Sequence, residues 1–150
     1  MRTRLRDALK IAMLGKDAPT VSTLRLILAA IKDRDIAARG KGNKDGVTDD
    51  EVLSLLQSMI KQRRESIALY EKGGRMELAQ QEAEEIAVIE EFLPEQMGAD
   101  KMASVIDAII TESEAASLKD MGRVMAALKE NHAGSMDFSK ASALVKERLG

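Results

Sequence analysis

Thr48-Asp-Asp-Glu-Val-Leu-Ser-Leu-Leu-Gln-Ser-Met-Ile-Lys-Gln-Arg-Arg-Glu-Ser-Ile-Ala-Leu-Tyr-Glu-Lys72, followed by Gly73-Gly74, is the stretch that decides the fold. Its first four residues form a capping box, in which the Thr48 hydroxyl and the Glu51 carboxylate satisfy each other's orphan amides. The Gly73-Gly74 pair supplies a left-handed stop at the other end. Between these signals Val52, Leu56, Met59, Ile60, Ile67 and Tyr70 fall on one face of a helix, and Arg63 lies in the middle of that face. Beyond the glycines a second helix, over about 75–92, clusters Leu78, Ile86, Ile89 and Leu93 around an equally misplaced Glu82. An antiparallel hairpin across Gly73-Gly74 would bring positions 63 and 82–83 to the same height. The pattern therefore predicts an Arg63–Glu82 ion pair within the seam, serving either as a registry device or as part of a ligand site.

Working outward, the same reading applies on both sides. A helix over 2–14 carries Leu5, Ala8, Leu9 and Ala12 on one stripe, and Gly15 with Ala18-Pro19 breaks it. A second, over about 20–39, places Leu24, Ile27, Leu28, Ile31 and Ala38 together, and Gly40 to Gly46 reads as a polar loop. Pro94 turns Leu93 out of the helical region, which makes 93–98 the best boundary in the chain. After it come helices over about 100–115, from Ser117 to Lys129, and from Asp137 to Leu149. The expected fold is all-α: a four-helix N-terminal domain over 1–96 and a small three-helix C-terminal domain over 97–150. Composition agrees, because the 150 residues are 45% apolar but only 2% aromatic, and no alternating strand pattern is present.

Charge narrows the functional classes. The net charge of −2 conceals an uneven distribution. Residues 1–42 hold ten Lys/Arg against four Asp/Glu, and 43–97 hold six against thirteen. A dedicated nucleic-acid binder is clearly basic overall, so any such contact must use a local face. The absence of cysteine excludes thiolate metal sites and thiol nucleophiles, and with no signal-peptide pattern it points to the cytoplasm. His132 stands alone without partners for a triad or a metal, and no phosphate-cradling glycine loop or HExxH pair occurs. No catalytic residue, cofactor, metal or membrane contact is expected.

The remaining candidate is the C-terminal helix pair. Gly122 interrupts Ser117-Leu-Lys-Asp-Met-Gly-Arg-Val-Met-Ala-Ala-Leu-Lys129, and a glycine inside a helix costs about 1 kcal/mol relative to alanine. Close approach of another backbone would account for it, whether a neighbouring helix or a bound partner. Leu118, Met121, Val124, Met125 and Leu128 are expected to pack inward, opposite Lys119, Arg123 and Lys129. Phe138, Ala141, Val145 and Leu149 do the same in the last helix, with Lys140 and Lys146 around them and Gly134 in the connector.

Several segments together carry a family resemblance: Thr23-Leu-Arg-Leu26, Ile60-Lys-Gln-Arg-Arg-Glu-Ser66, Tyr70-Glu-Lys-Gly-Gly-Arg75, Glu85-Ile86, Phe92-Leu-Pro-Glu-Gln-Met97, Asp120-Met-Gly-Arg-Val-Met125, and Gly134 to Leu149. The chain resembles the YqeY-like proteins of the GatB/YqeY family nearly end to end. In that family the same region forms the C-terminal tail of the B subunit of the tRNA-dependent amidotransferase. The resemblance implies contact with tRNA or with a tRNA-processing enzyme, through Lys119, Gly122, Arg123, Lys129, Gly134, Lys140 and Lys146. It also implies the label of glutamine-dependent carbon–nitrogen ligase. A chain of 150 residues has no room for the module that performs that chemistry, so activity by itself is not expected. The alternative is a protein–protein adaptor that binds no RNA and docks a partner through its basic first helix and the Gly122 face.

Overall fold

The computed structural model describes residues 1–150 and is all-helical. Seven α-helices follow one another: α1 Arg2–Leu14, α2 Ala18–Gly40, α3 Asp49–Lys72, α4 Met76–Glu90, α5 Ala99–Glu112, α6 Met121–His132 and α7 Phe138–Leu149, with a 3₁₀ turn at Leu118–Asp120. No helix is long and apolar enough to cross a membrane.

Local chemistry sets the ends. Thr48 and Glu51 form the reciprocal capping box that starts α3. Asp17 caps α2, its carboxylate accepting from the Thr20 hydroxyl at 2.6 Å. Helix α2 thus begins at Ala18 and takes Pro19 into its first turn. A proline is tolerated there because that amide has no helical partner in any case, so Ala18-Pro19 opens a helix as well as breaking one. Gly74 adopts φ +72°, ending the α3–α4 turn in the left-handed region.

The chain divides into two compact units, Met1–Leu93 and Pro94–Gly150. In the first, Leu5 of α1, Leu24 and Ile27 of α2, Val52 and Leu56 of α3, and Ile89 of α4 are completely buried against one another, with Phe92 closing the cluster. In the second, Met102 and Ile106 of α5, Val124 and Leu128 of α6, Met136, and Ala141 and Val145 of α7 form a separate core. Methionine serves as filler at positions 59, 102 and 136, as expected where aromatics are nearly absent, whereas Met13 and Met76 are exposed. Truncating a completely buried Leu56 to alanine should cost about 2–5 kcal/mol.

The polar loop after α2 is tied down by one cluster. Arg2 donates from Nη1 to Asp35 Oδ2 at 2.6 Å and from Nη2 to Asp35 Oδ1 at 2.8 Å. The same Nη2 reaches the Val47 carbonyl at 2.8 Å, and the Val47 amide donates to Asp35 Oδ1 at 2.9 Å. Gly46 makes this possible: it sits at φ +81°, and a Cβ there would stand 2.6 Å from Asp35 Oδ1. The Arg2 guanidinium, and after it the Val47 amide, hold the Asp35 carboxyl at about 2 instead of 3.8. A carboxyl depressed in the folded state contributes stability that is complete above its unfolded value and disappears as pH falls towards the folded one. Asp35→Asn should therefore flatten the loss of stability between pH about 4 and 2, read by urea unfolding at a series of pH values. Gly46→Ala should destabilise by at least about 1–2 kcal/mol, from the left-handed backbone alone.

Candidate functional site

Asp120 organises the start of α6. Its Oδ2 accepts from the Ala116 amide at 2.9 Å and the Ser117 amide at 3.3 Å, while Oδ1 accepts from Arg123 Nη2 at 3.1 Å. These amides, and secondarily the Arg123 charge, lower its pKa below the usual carboxylate value. Arg123 is thus a guanidinium already engaged by a carboxylate, on an exposed part of the helix.

Gly122 is the second residue of α6, not an interior one, because 118–120 forms the 3₁₀ turn. A Cβ there would meet nothing within 4 Å. No neighbouring helix presses on it, so internal packing does not account for this glycine. The same 3₁₀ turn leaves Leu118 exposed, where the helical stripe had placed it inward. Gly134 is likewise not part of a surface. It is buried at φ +80°, and its carbonyl accepts from Gln96 Nε2 at 2.7 Å, which makes it a turn residue of the 133–136 connector. The Ser135 carbonyl beside it accepts from the Met97 amide at 2.7 Å.

Lys119, Lys129, Lys140 and Lys146 are all exposed, and none joins an ion pair of the chain. They do not share one face. Arg123 and Lys129 are six residues apart, which is about 120° around a helix, and the same holds for Lys140 and Lys146. Arg148 is neutralised by Asp107 at 3.2 Å. What the second unit offers an anion is a loose set of separate ammonium groups, suited to screened charge contact and not to the reading of bases.

In the first unit the charge within the α3 stripe does lie between the two hairpin helices, but its nearer partner is Glu85. Arg63 Nε stands 3.0 Å from Glu85 Oε2 and 3.9 Å from Glu82 Oε2, and Nη1 donates to the Met59 carbonyl at 3.2 Å. Arg63, Glu85 and Glu82 are only 13, 16 and 23% exposed. Apolar spacing alone does not single out Glu85, because position 85 falls beside the Ile86 face, one turn along from 82. Asp35 was missed too, although it occupies the gap between Ile31 and Ala38 in the α2 stripe and shows the same intruding-charge signal. A third contact has no linear signature: Arg4 lies over the Phe92 ring at 5.1 Å and donates to the Glu91 carbonyl, pinning the end of α4 to α1.

With this geometry in hand, comparison with known proteins gives a consistent result. The profile of the family described as Yqey-like protein matches residues 2–149. A relative from Eremothecium gossypii, named Altered inheritance of mitochondria protein 41, mitochondrial, is 34% identical over 110 residues, covering 72% of this chain and 58% of that protein. Its namesake from Pyrenophora tritici-repentis is 28% identical over 98% of this chain and 80% of its own. An uncharacterized protein of Schizosaccharomyces pombe is 32% identical over 63% of this chain and 70% of its own length. The chain spans about half the length of several of the curated relatives it matches. Their names correct one expectation. Relatives called mitochondrial overturn the cytoplasmic placement, which had rested on missing cysteine and a missing leader pattern, neither of which distinguishes one reducing compartment from another.

Replacing Arg63 by leucine leaves the Glu82 and Glu85 carboxylates, side by side on α4, against α3 with no cation between them. It should destabilise the protein by about 2 kcal/mol, below the 3–5 kcal/mol of a fully buried pair because some solvent reaches all three groups. In a double-mutant cycle Glu85→Leu should recover more of this loss than Glu82→Leu.

Proposed function

The chain belongs to the YqeY-like protein family, and on that footing we propose that it is a tRNA-binding accessory module, related to the tail of the tRNA-dependent amidotransferase and without a catalytic module for that chemistry. The observation that supports this reading best is Gly122. It leaves open space at the exposed start of α6, beside Lys119 and within reach of Lys129, and nothing in the chain fills it. A phosphate backbone can approach a helix closely where no side chain projects, and ammonium groups on either side hold it without selecting a sequence. Lys140 and Lys146 of α7 extend the charge. Arg123 has the lesser part, since Asp120 competes for it. We further read the segments 1–96 and 97–150 as separately folding domains, with the RNA contact confined to the second.

Titration of labelled tRNA with the purified full chain tests the reading. Binding should be strongest at about 50 mM salt and weaken steeply as salt rises. Lys119→Ala and Lys129→Ala should each lower affinity and reduce the slope of log K against log salt by about 1, whereas Arg123→Ala should do less. No binding at about 50 mM salt would overturn the proposal in favour of an adaptor that binds no RNA.

A further inference from the structure

Helices α2 and α4 both belong to the first unit, and each turns a row of charge away from its core. On α2, Arg25, Lys32 and Arg39 recur every seven residues, with Ala29 and Ile36 between them. On α4, Glu77, Glu84 and Glu91 recur at the same spacing, with Gln80 and Ala87 between them. Glu91 caps α4 with a helical backbone, φ −59° and ψ −23°, and so continues its row. Residues spaced alternately three and four apart line up along one side of a helix. All ten are exposed, and Ile36, at 55%, is the one large apolar side chain among them. Each row is about 21 Å long, with charges about 10 Å apart. Each carries one sign, and its own chain leaves it largely uncompensated. An ordinary solvated helix face sets opposite charges three or four residues apart. Arg25 has no carboxylate within four residues, and neither Glu84 nor Glu91 has a cation within four. Asp35, three residues from Lys32 and four from Arg39, is clamped by Arg2, and Arg39 acts on it only at longer range. Asp33 lies about 100° around α2 from Lys32. Of the six charges only Glu77 joins an ion pair, with Arg75 at 2.8 Å.

We propose that α2 of one copy of this chain packs antiparallel on α4 of a second copy, so that Arg25, Lys32 and Arg39 meet Glu91, Glu84 and Glu77. Along α2 the steps are four, three, four, three, and along α4 they are three, four, three, four. Reversing one helix therefore superimposes the rows, with Ala29 opposite Ala87 and Ile36 opposite Gln80. The facing alanines let the helix axes approach closely. Glu77 contributes least, because Arg75 competes for its carboxylate. The match also identifies the occupant. An RNA backbone, an anionic bilayer or an acidic protein would engage the cationic row and leave the acidic one without a role. A second copy engages both, at the same spacing and length. Exposed ion pairs are individually weak, so the association is reversible and screened by salt. It concerns the first unit and holds whether or not the second binds RNA.

Sedimentation equilibrium of the full chain is the test. At about 50 mM salt the average mass should rise with chain concentration, and the association constant should fall about tenfold or more by about 300 mM salt. The double variants Arg25→Glu/Lys32→Glu and Glu84→Lys/Glu91→Lys should each stay monomeric, because rows of like charge then oppose each other. All four side chains are exposed, so both variants should keep the unfolding temperature of the parent chain. Mixed in equal amounts, the two should associate with each other. The acidic α2 of one then meets the basic α4 of the other, and their unaltered rows pair as before, a rescue that general destabilisation would not produce. A parent chain that is monomeric at about 0.5 mM and about 50 mM salt would overturn the proposal. So would a mixture of the variants that remains monomeric, or either variant self-associating as strongly as the parent. Binding of RNA or phosphatidylglycerol vesicles through Lys32 by a chain that stays monomeric would likewise replace it.

Discussion

The closure of α3 on α4 across Gly73-Gly74 is the constraint on which the first unit depends. It brings Leu56 and Ile89 into the same core, and α1 and α2 then cover the apolar face that the hairpin presents. With almost no aromatic side chains, that face consists of aliphatic knobs, which pack in many registers with similar energy. The polar groups restrict the choice. Sliding α4 so that the apolar turn of Val88 and Ile89 takes the place of Glu85 would leave Arg63 largely buried without a carboxylate beside it. The ion cluster adds modest stability and a strong preference for one alignment, and Arg4 against Phe92 and the Glu91 carbonyl repeats that preference at the other end of α4.

Most of the fold was legible because its punctuation is local. Thr48 with Glu51, Gly73-Gly74, and Asp137 are capping signals whose chemistry acts within four residues. Apolar spacing then identifies inward faces without knowledge of their partners. What failed to show in the sequence depends on atoms distant in the chain or on fine backbone geometry. Whether Arg63 prefers Glu82 or Glu85 depends on side-chain reach across the seam. Whether Gly122 lies inside α6 or at its start depends on a 3₁₀ turn of three residues, which periodicity does not resolve. Gly134 is a candidate contact only through the family resemblance, and its burial in a left-handed turn, with its carbonyl accepting from Gln96, depends on a residue 38 positions away.

The candidate site was less legible than the fold for a related reason. Lysines on a helix are conspicuous in sequence, but their partners are not. Asp120 is a cap first, and it also occupies Arg123. The family match and the named relatives identify the kind of protein, while the placement of unpaired charge indicates which residues remain available to bind something. In the second unit those are separate lysines around an open glycine.

One further property follows from the length of α3. Its buried residues run from Val52 to Ile60, but the helix continues to Lys72, and near its end Leu69 is 69% exposed. The outer half of the hairpin therefore has a hydrogen-bonded backbone with little tertiary burial behind it, and its opening free energy is set by the Arg63 cluster and the Gly73-Gly74 turn. Amide protection should decline along α3 from its capped start outward, in step with the decline in burial. The hairpin tip would then open many times for each global unfolding event, so that one continuous helix spans two levels of cooperativity.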